Sequence, residues 1–248
     1  MKQTLLIDIS NSRTKLAVAK GSGLGEKRFV DTPSLSPDSL AEATGGWAFE
    51  KVVLCSVVPE KNALVEEAFA GLNFLLVTHL IELGVAIDYP DPSSIGADRL
   101  ANAAATASLF PGPAVAIDFG TAVTFDVLSS EKSYVGGVIT PGLEVMSDYM
   151  VDRTALLPKI DLVNEPSIVG KSTRHAMQAG AFFGYRGLIR EILQELRKAL
   201  GGEEGSPLDV VATGGYAALF SANLPEIGRV EDDLTMQGLR IISDANDF

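Results

Sequence analysis

The chain has 248 residues, enough for one large domain or two modest ones, and its 46% hydrophobic and 21% charged composition excludes a disordered or fibrous architecture. A formal charge of −12, with no local cluster of Lys or Arg to offset it, repels phosphate backbones and anionic lipid, so nucleic acids and membrane surfaces are not expected partners. One cysteine and two histidines are too few for an intramolecular disulfide, a good zinc site or a Ser-His or Cys-His triad, so any hard cation would take oxygen ligands. No basic segment precedes an apolar stretch at the N-terminus and no apolar run reaches the roughly 18 residues that span a bilayer, so the expected location is cytoplasmic.

Strands are expected at Thr4–Ile9 and Thr14–Ala19, joined by a Ser-Asn-Ser turn, with a third near Lys27–Val30. A helix near Pro37–Ala43 follows, then a buried strand Val52–Val58 in which Cys55 reads as a structural thiol. Pro59 suits the first turn of a helix running to Ala70, and Phe74–Thr78 is another strand. The segment from Tyr89 to Arg99 leads into an alanine-rich helix, Leu100–Leu109, before a break at Phe110-Pro111-Gly112-Pro113. The second half repeats the scheme, with strands Ala114–Asp118, Val123–Leu128 and Tyr134–Thr140 and a helix started by Pro141-Gly142. A long helix from Ser172 to Leu200 follows, closed by Gly201-Gly202. A surface loop is expected from Glu203 to Pro207, then a strand Val210–Thr213 and a Gly214-Gly215 turn opening a further helix. The parallel between the halves implies a duplicated α/β fold with mixed sheets, divided into lobes 1–113 and 114–248.

Asp8 and Asp118 each end an apolar strand beside a tight turn rich in N–H and hydroxyl donors, the equipment for holding a metal-bound nucleotide phosphate. Singly, each fits an Asx-turn that does nothing else; as a pair at the heads of two similar halves they suggest one ligand gripped between two lobes. Ser10, Asn11, Ser12, Thr121 and Thr124 supply further donors, whereas Arg13 and Lys15 read as a solvated strand face. Asp98 fits two roles equally: an acid that complements a helix N-terminus, or the acceptor of a substrate hydroxyl proton beside a carboxylate-clamping Arg99. Thr173 reads as a helix N-cap, and Gly180, Gly184 and Gly187 as sites of close packing within the chain or at a subunit interface.

Together these residues resemble the type III pantothenate kinases of the acetate and sugar kinase, Hsp70 and actin superfamily. The resemblance spans essentially the whole chain and rests on five marks in order. These are Asp8 to Ser12, Gly96-Ala97-Asp98-Arg99, Asp118-Phe119-Gly120-Thr121-Ala122, Gly136-Gly137 with Pro141-Gly142, and Thr213-Gly214-Gly215. It implies two ribonuclease H-like lobes and ATP-dependent phosphorylation of the primary hydroxyl of pantothenate, the first committed step toward coenzyme A. It further implies Asp98 as general base, with Tyr89, Gly96, Ala97 and Arg99 binding pantothenate and Thr173 reaching it across a homodimer interface. Asp8, Ser10, Asn11, Ser12, Gly120, Thr121, Gly214 and Gly215 would bind ATP, with Asp8 organising Mg2+ and Asp118 a monovalent cation, K+ or NH4+. In the first phosphate motif Ser10 stands where the family usually has Gly, adding a side chain at a position where a glycine would allow positive φ and close backbone approach to phosphate. Two other readings remain open from sequence: a kinase-like regulatory protein that has lost catalysis, and another small-molecule kinase or phosphatase of the same superfamily.

Overall fold

The computed structural model describes residues 3–201 and 207–248; Gly202 and the loop expected from Glu203, up to Ser206, lie outside the described residues. The chain forms two compact units. One comprises residues up to Pro111 with Ser130–Gly136 and Asp233–Phe248, and the other Gly112–Ser129 with Gly137–Asp232. Among the described residues no helix is long and apolar enough to cross a membrane.

In the first unit β1 (Thr4–Ile9), β2 (Arg13–Lys20) and β3 (Gly23–Asp31) form an antiparallel meander, followed by α1 (Pro37–Thr44), β4 (Lys51–Ser56), α2 (Asn62–Ala68) and β5 (Asn73–Leu76). The sheet order is β3-β2-β1-β4-β5, with β4 and β5 parallel to β1. Pro59 opens a 3-10 turn, Pro59–Lys61, instead of the α-helix itself. A short β6 (Ala86–Ile87), absent from the expected elements, precedes the helix α3 (Ala97–Leu109), which begins three residues before the expected Leu100. Period-two alternation assigns the two faces of β1 and β4. Leu5, Ile7 and Ile9 join Val52 and Leu54 in a core covered by Leu40 of α1 and Val65 of α2. The opposite face carries Leu6, Asp8, Val53 and Cys55, and α3 lies on that side.

The C-terminal helix Leu234–Ala245, absent from the expected elements, packs on α3 and groups with the first unit, not with the 114–248 half. The reason is local. A Cβ at Gly238 would land on the carbonyl of Ala101, so only glycine allows this backbone approach, and Thr235 Oγ1 donates to buried Asn102 Oδ1 at 2.8 Å.

The second unit contains β7 (Ala114–Phe119), β8 (Ala122–Leu128), most of β9 (Ser133–Pro141), α4 (Leu143–Arg153), α5 (Thr173–Ala199), β10 (Asp209–Gly214), α6 (Ala217–Ser221) and β11 (Arg229–Val230). The order β9-β8-β7-β10-β11 repeats that of the first unit, again with an antiparallel β7/β8 pair and parallel β10 and β11. This is a duplicated ribonuclease H-like α/β fold. Asp8 and Asp118 are equivalent in it, each the penultimate residue of the central strand. The first residues of β9 belong to the first unit, where β6 pairs with them in parallel, Ile87 opposite Tyr134.

Candidate active site

The first aspartate turn is braced from behind. Ser10 N–H donates to the carbonyl of Arg13 at 3.2 Å, closing the loop, and Thr32 N–H donates to the carbonyl of Ser12 at 3.1 Å. Thr32 Oγ1 donates to the carbonyl of Ser10 at 2.7 Å, so its 3.0 Å contact with Thr14 Oγ1 must use the Thr14 hydroxyl hydrogen. Asn11 and Ser12 remain exposed at the tip, while Asp8 is only 7% exposed. Ser10 is not among the non-glycine residues with positive φ, so the turn accommodates its side chain in an ordinary conformation.

Asp8 and Asp98 converge on Cys55. The strand register sets Asp8 opposite Cys55, and the Cys55 thiol is fully buried. Burial first, then the charges of Asp8 and Asp98, push the thiol well above its ordinary pKa, and the thiol donates a hydrogen bond to the Asp8 carboxylate. Asp98 lies in the first turn of α3, whose N-cap is Gly96. Its Oδ1 accepts from Arg99 N–H at 2.8 Å, and a Cβ at Gly96 would come within 2.7 Å of that same oxygen. Burial raises the Asp98 pKa against three opposing influences: the Arg99 amide, the Arg99 charge and its own amide. A carboxylate so placed is a stronger base than a solvated aspartate. The Arg99 guanidinium lies 5.7 Å from the centroid of the Tyr134 ring, and Tyr89 stands 6.1 Å from the same ring.

In the second unit the Asp118 turn and the Gly214-Gly215 turn adjoin, because Thr213 and Gly214 pair with Asp118 and Phe119. Gly120 N–H donates to the carbonyl of Ala122 at 3.1 Å, and Gly215 N–H to that of Phe119 at 3.1 Å. Gly214 has φ +89, and a Cβ there would sit 2.6 Å from the Phe119 carbonyl oxygen and 2.7 Å from Asp118 Oδ1. Gly142 N–H donates to the Thr121 carbonyl at 2.9 Å, and a side chain at Gly142 would overlap that carbonyl. The backbone is therefore folded tightly around Asp118, while Thr121 is exposed at its tip. Beyond the turn, Tyr216 donates to Glu144 Oε1 at 2.9 Å; burial and then this bond push the Tyr216 pKa up to about 12.

The structure thus gathers Asp8, the Ser10-Asn11-Ser12 turn, Tyr89, Gly96, Ala97, Asp98 and Arg99 in one unit, and Asp118, Gly120, Thr121, Gly214 and Gly215 in the other. Thr173 is the first residue of α5 and exposed; the N-cap is Ser172, whose Oγ accepts from His175 N–H at 3.2 Å, so the capping role expected of Thr173 belongs to its neighbour. Sequence reasoning passed over Thr14 and Thr32, which brace the first turn, and Tyr134, which lies under Arg99. Among the described residues no three His, Cys, Asp or Glu side chains gather as a metal cage.

The family model for type III pantothenate kinase matches residues 4–195. A type III pantothenate kinase of Akkermansia muciniphila is 46% identical over 248 residues, covering 98% of each chain. Another, from Methylacidiphilum infernorum, is 38% identical over 97% of this chain and 88% of its own. Among solved structures, a putative Baf family transcriptional activator from Campylobacter jejuni shares the fold with a TM-score of 0.64 at 19% identity, covering 98% of both chains. A putative N-acetylglucosamine kinase from Porphyromonas gingivalis aligns over the full length of both with a TM-score of 0.50 at 13% identity. With its motifs held on two repeats of one sheet topology and full-length relatives of that name, the chain belongs to the type III pantothenate kinase family.

Proposed function

We propose that this protein transfers the γ-phosphoryl group of ATP to the primary hydroxyl of pantothenate, giving 4'-phosphopantothenate and ADP, the first step of coenzyme A biosynthesis. The observation that carries the reading is Asp98. It is a carboxylate of raised pKa at the start of α3, beside Arg99 and above the strand end that bears Asp8. Asp98 accepts the hydroxyl proton as the oxygen bonds to phosphorus and the bond to the ADP oxygen breaks; Arg99 pairs with the pantothenate carboxylate, and Tyr89, Gly96 and Ala97 line the same segment. Phosphoryl transfer asks the protein mainly for positioning and charge stabilisation, and the amides and hydroxyls of Ser10, Asn11, Ser12, Gly120 and Thr121 serve the phosphates. Gly214 and Gly215 offer bare backbone to the nucleoside.

ATP carries Mg2+, which neutralises charge developing on the phosphates. Mg2+ is commonly held through one or two carboxylates plus phosphates, and the buried Asp8 beside its donor-rich turn fits that use. A monovalent cation, K+ or NH4+, fits at Asp118, where glycine at 214 keeps a side chain off Asp118 Oδ1 and the carbonyl of Phe119 adds an oxygen. A homodimer belongs to the same proposal. Gly180, Gly184 and Gly187 are exposed, with no described atom beyond their own helix within 4 Å of a Cβ position, and Tyr149, Leu156, Ile168 and Val169 of the same unit are exposed apolar side chains. Thr173 would then meet pantothenate bound by the other copy. The enzyme acts in the cytoplasm on small molecules.

A coupled assay for ADP release tests the proposal: turnover is expected only with pantothenate present, and faster in K+ than in Na+. Absence of pantothenate-dependent turnover in K+ would overturn it.

A further inference from the structure

We propose that Tyr134 is a positioning residue for substrate binding, its ring forming the floor that orients the Arg99 guanidinium, with Gly136 beside it making room for Tyr89. Tyr134 is 1% exposed and among the largest fully buried side chains of the protein. It lies in the first residues of β9, within the first unit, and β6 fixes its place: Ile87 pairs with it, and Asp88 N–H donates to its carbonyl at 2.9 Å. The Arg99 guanidinium carbon stands 5.7 Å from the ring centroid, inside the roughly 6 Å range in which a cation is attracted to an aromatic face. Tyr89 meets the ring at 6.1 Å with a 60° tilt. Gly136 has φ +121, and a Cβ there would come within 3.3 Å of Tyr89 Cε2, so the glycine leaves the space that ring occupies.

The physical consequence concerns orientation. An arginine has a long, freely rotating stem, and its planar fork binds a carboxylate well only when held in one plane. A buried aromatic face beneath the guanidinium supplies that constraint without taking up the donors that the substrate needs. Because β6 runs from the same segment that carries Tyr89, the arrangement couples the two substrate-binding side chains through one buried ring.

This inference rests on the assignment of Arg99 to pantothenate, so its test separates the two. Tyr134→Phe keeps the face and is expected to stay within about twofold of the unaltered enzyme in every kinetic constant. Tyr134→Leu keeps apolar bulk without the face, and the KM for pantothenate is expected to rise about 5- to 20-fold, with the KM for ATP and kcat within about twofold. To keep the test independent of how Tyr134→Leu folds, a second series replaces Tyr134 with phenylalanines of increasing fluorination, which hold ring shape while draining the negative face. The KM for pantothenate is expected to climb with each fluorine. A flat series in an active enzyme, or equal changes for ATP and pantothenate, would overturn the role of Tyr134 alone. Failure of the unaltered enzyme to turn over pantothenate would overturn the parent reading and this one with it.

Discussion

Gly214→Ala offers a perturbation whose size follows from the backbone. The residue holds φ +89, a conformation that costs a side-chain-bearing residue about 1 kcal/mol or more. The added methyl would also sit 2.6 Å from the Phe119 carbonyl oxygen, 2.7 Å from the Phe119 carbonyl carbon and 2.7 Å from Asp118 Oδ1, closer than such atoms approach. Overpacking of that kind costs about 1–3 kcal/mol, so the sum is about 3 kcal/mol. At about 2–4 °C per kcal/mol for a chain of this size, the melting temperature is expected to fall by about 6–12 °C. Relief of the overlap turns the β7 end and moves Asp118, so the K+ concentration for half-maximal activity is expected to rise several-fold. Gly215→Ala is the control: no described atom lies within 4 Å of its Cβ position, so its stability is expected to change by less than about 0.5 kcal/mol. Thermal unfolding and a K+ titration of initial rates read both effects. A Gly214→Ala protein that melts within about 2 °C of the parent with unchanged K+ dependence would refute the reasoning, as would equal damage from Gly215→Ala.

Burial raises the pKa of Asp98, so as base it is protonated, and the enzyme idle, at pH values where an ordinary aspartate is already ionised. The acid limb of kcat/KM is therefore expected above the usual aspartate range; a limb at the ordinary value would remove Asp98 from the base role. Since ionising a group of raised pKa weakens the folded state as pH climbs past the unfolded value, Asp98→Asn is expected to melt no lower than the parent at neutral pH, as thermal scans would show. Cys55 is buried with its pKa pushed up, so no thiol modification is expected in the native protein within the time that full labelling takes in denaturant; rapid native labelling would contradict this placement. Gly238→Ala is expected to destabilise the protein by about 3 kcal/mol or more, because its Cβ would meet backbone of α3 and not a movable side chain; calorimetry showing an unchanged melting point would contradict the packing.

The two aspartate turns were legible because an apolar strand running into a carboxylate and a small polar turn is a local pattern, and its repetition matched a repeated sheet order. The C-terminal helix is hard to read locally despite Leu234, Leu239 and Ile242 at helical spacing. Gly238 reads locally as a helix weakener and acquires its purpose only from Ala101, which is remote in sequence. Ser172 and Thr173 are adjacent hydroxyls, and only the extended backbone of Ser172 decides which one caps α5. Tyr134 read as one more apolar strand residue, since nothing near it in sequence announces Arg99 above its ring. The close packing expected at Gly180, Gly184 and Gly187 is not met within the described residues, since beyond their own helix nothing stands within 4 Å of their Cβ positions.

Phosphorus NMR of the reaction mixture tests the central claim most directly, comparing the unaltered enzyme with Asp98→Asn under ATP, Mg2+, K+ and pantothenate. A new phosphomonoester resonance growing in step with ADP is expected from the unaltered enzyme, and a rate lower by about 10²- to 10⁴-fold from the folded Asn variant. An unaltered enzyme that forms no phosphopantothenate, or an Asn variant that forms it at the full rate, would contradict the account.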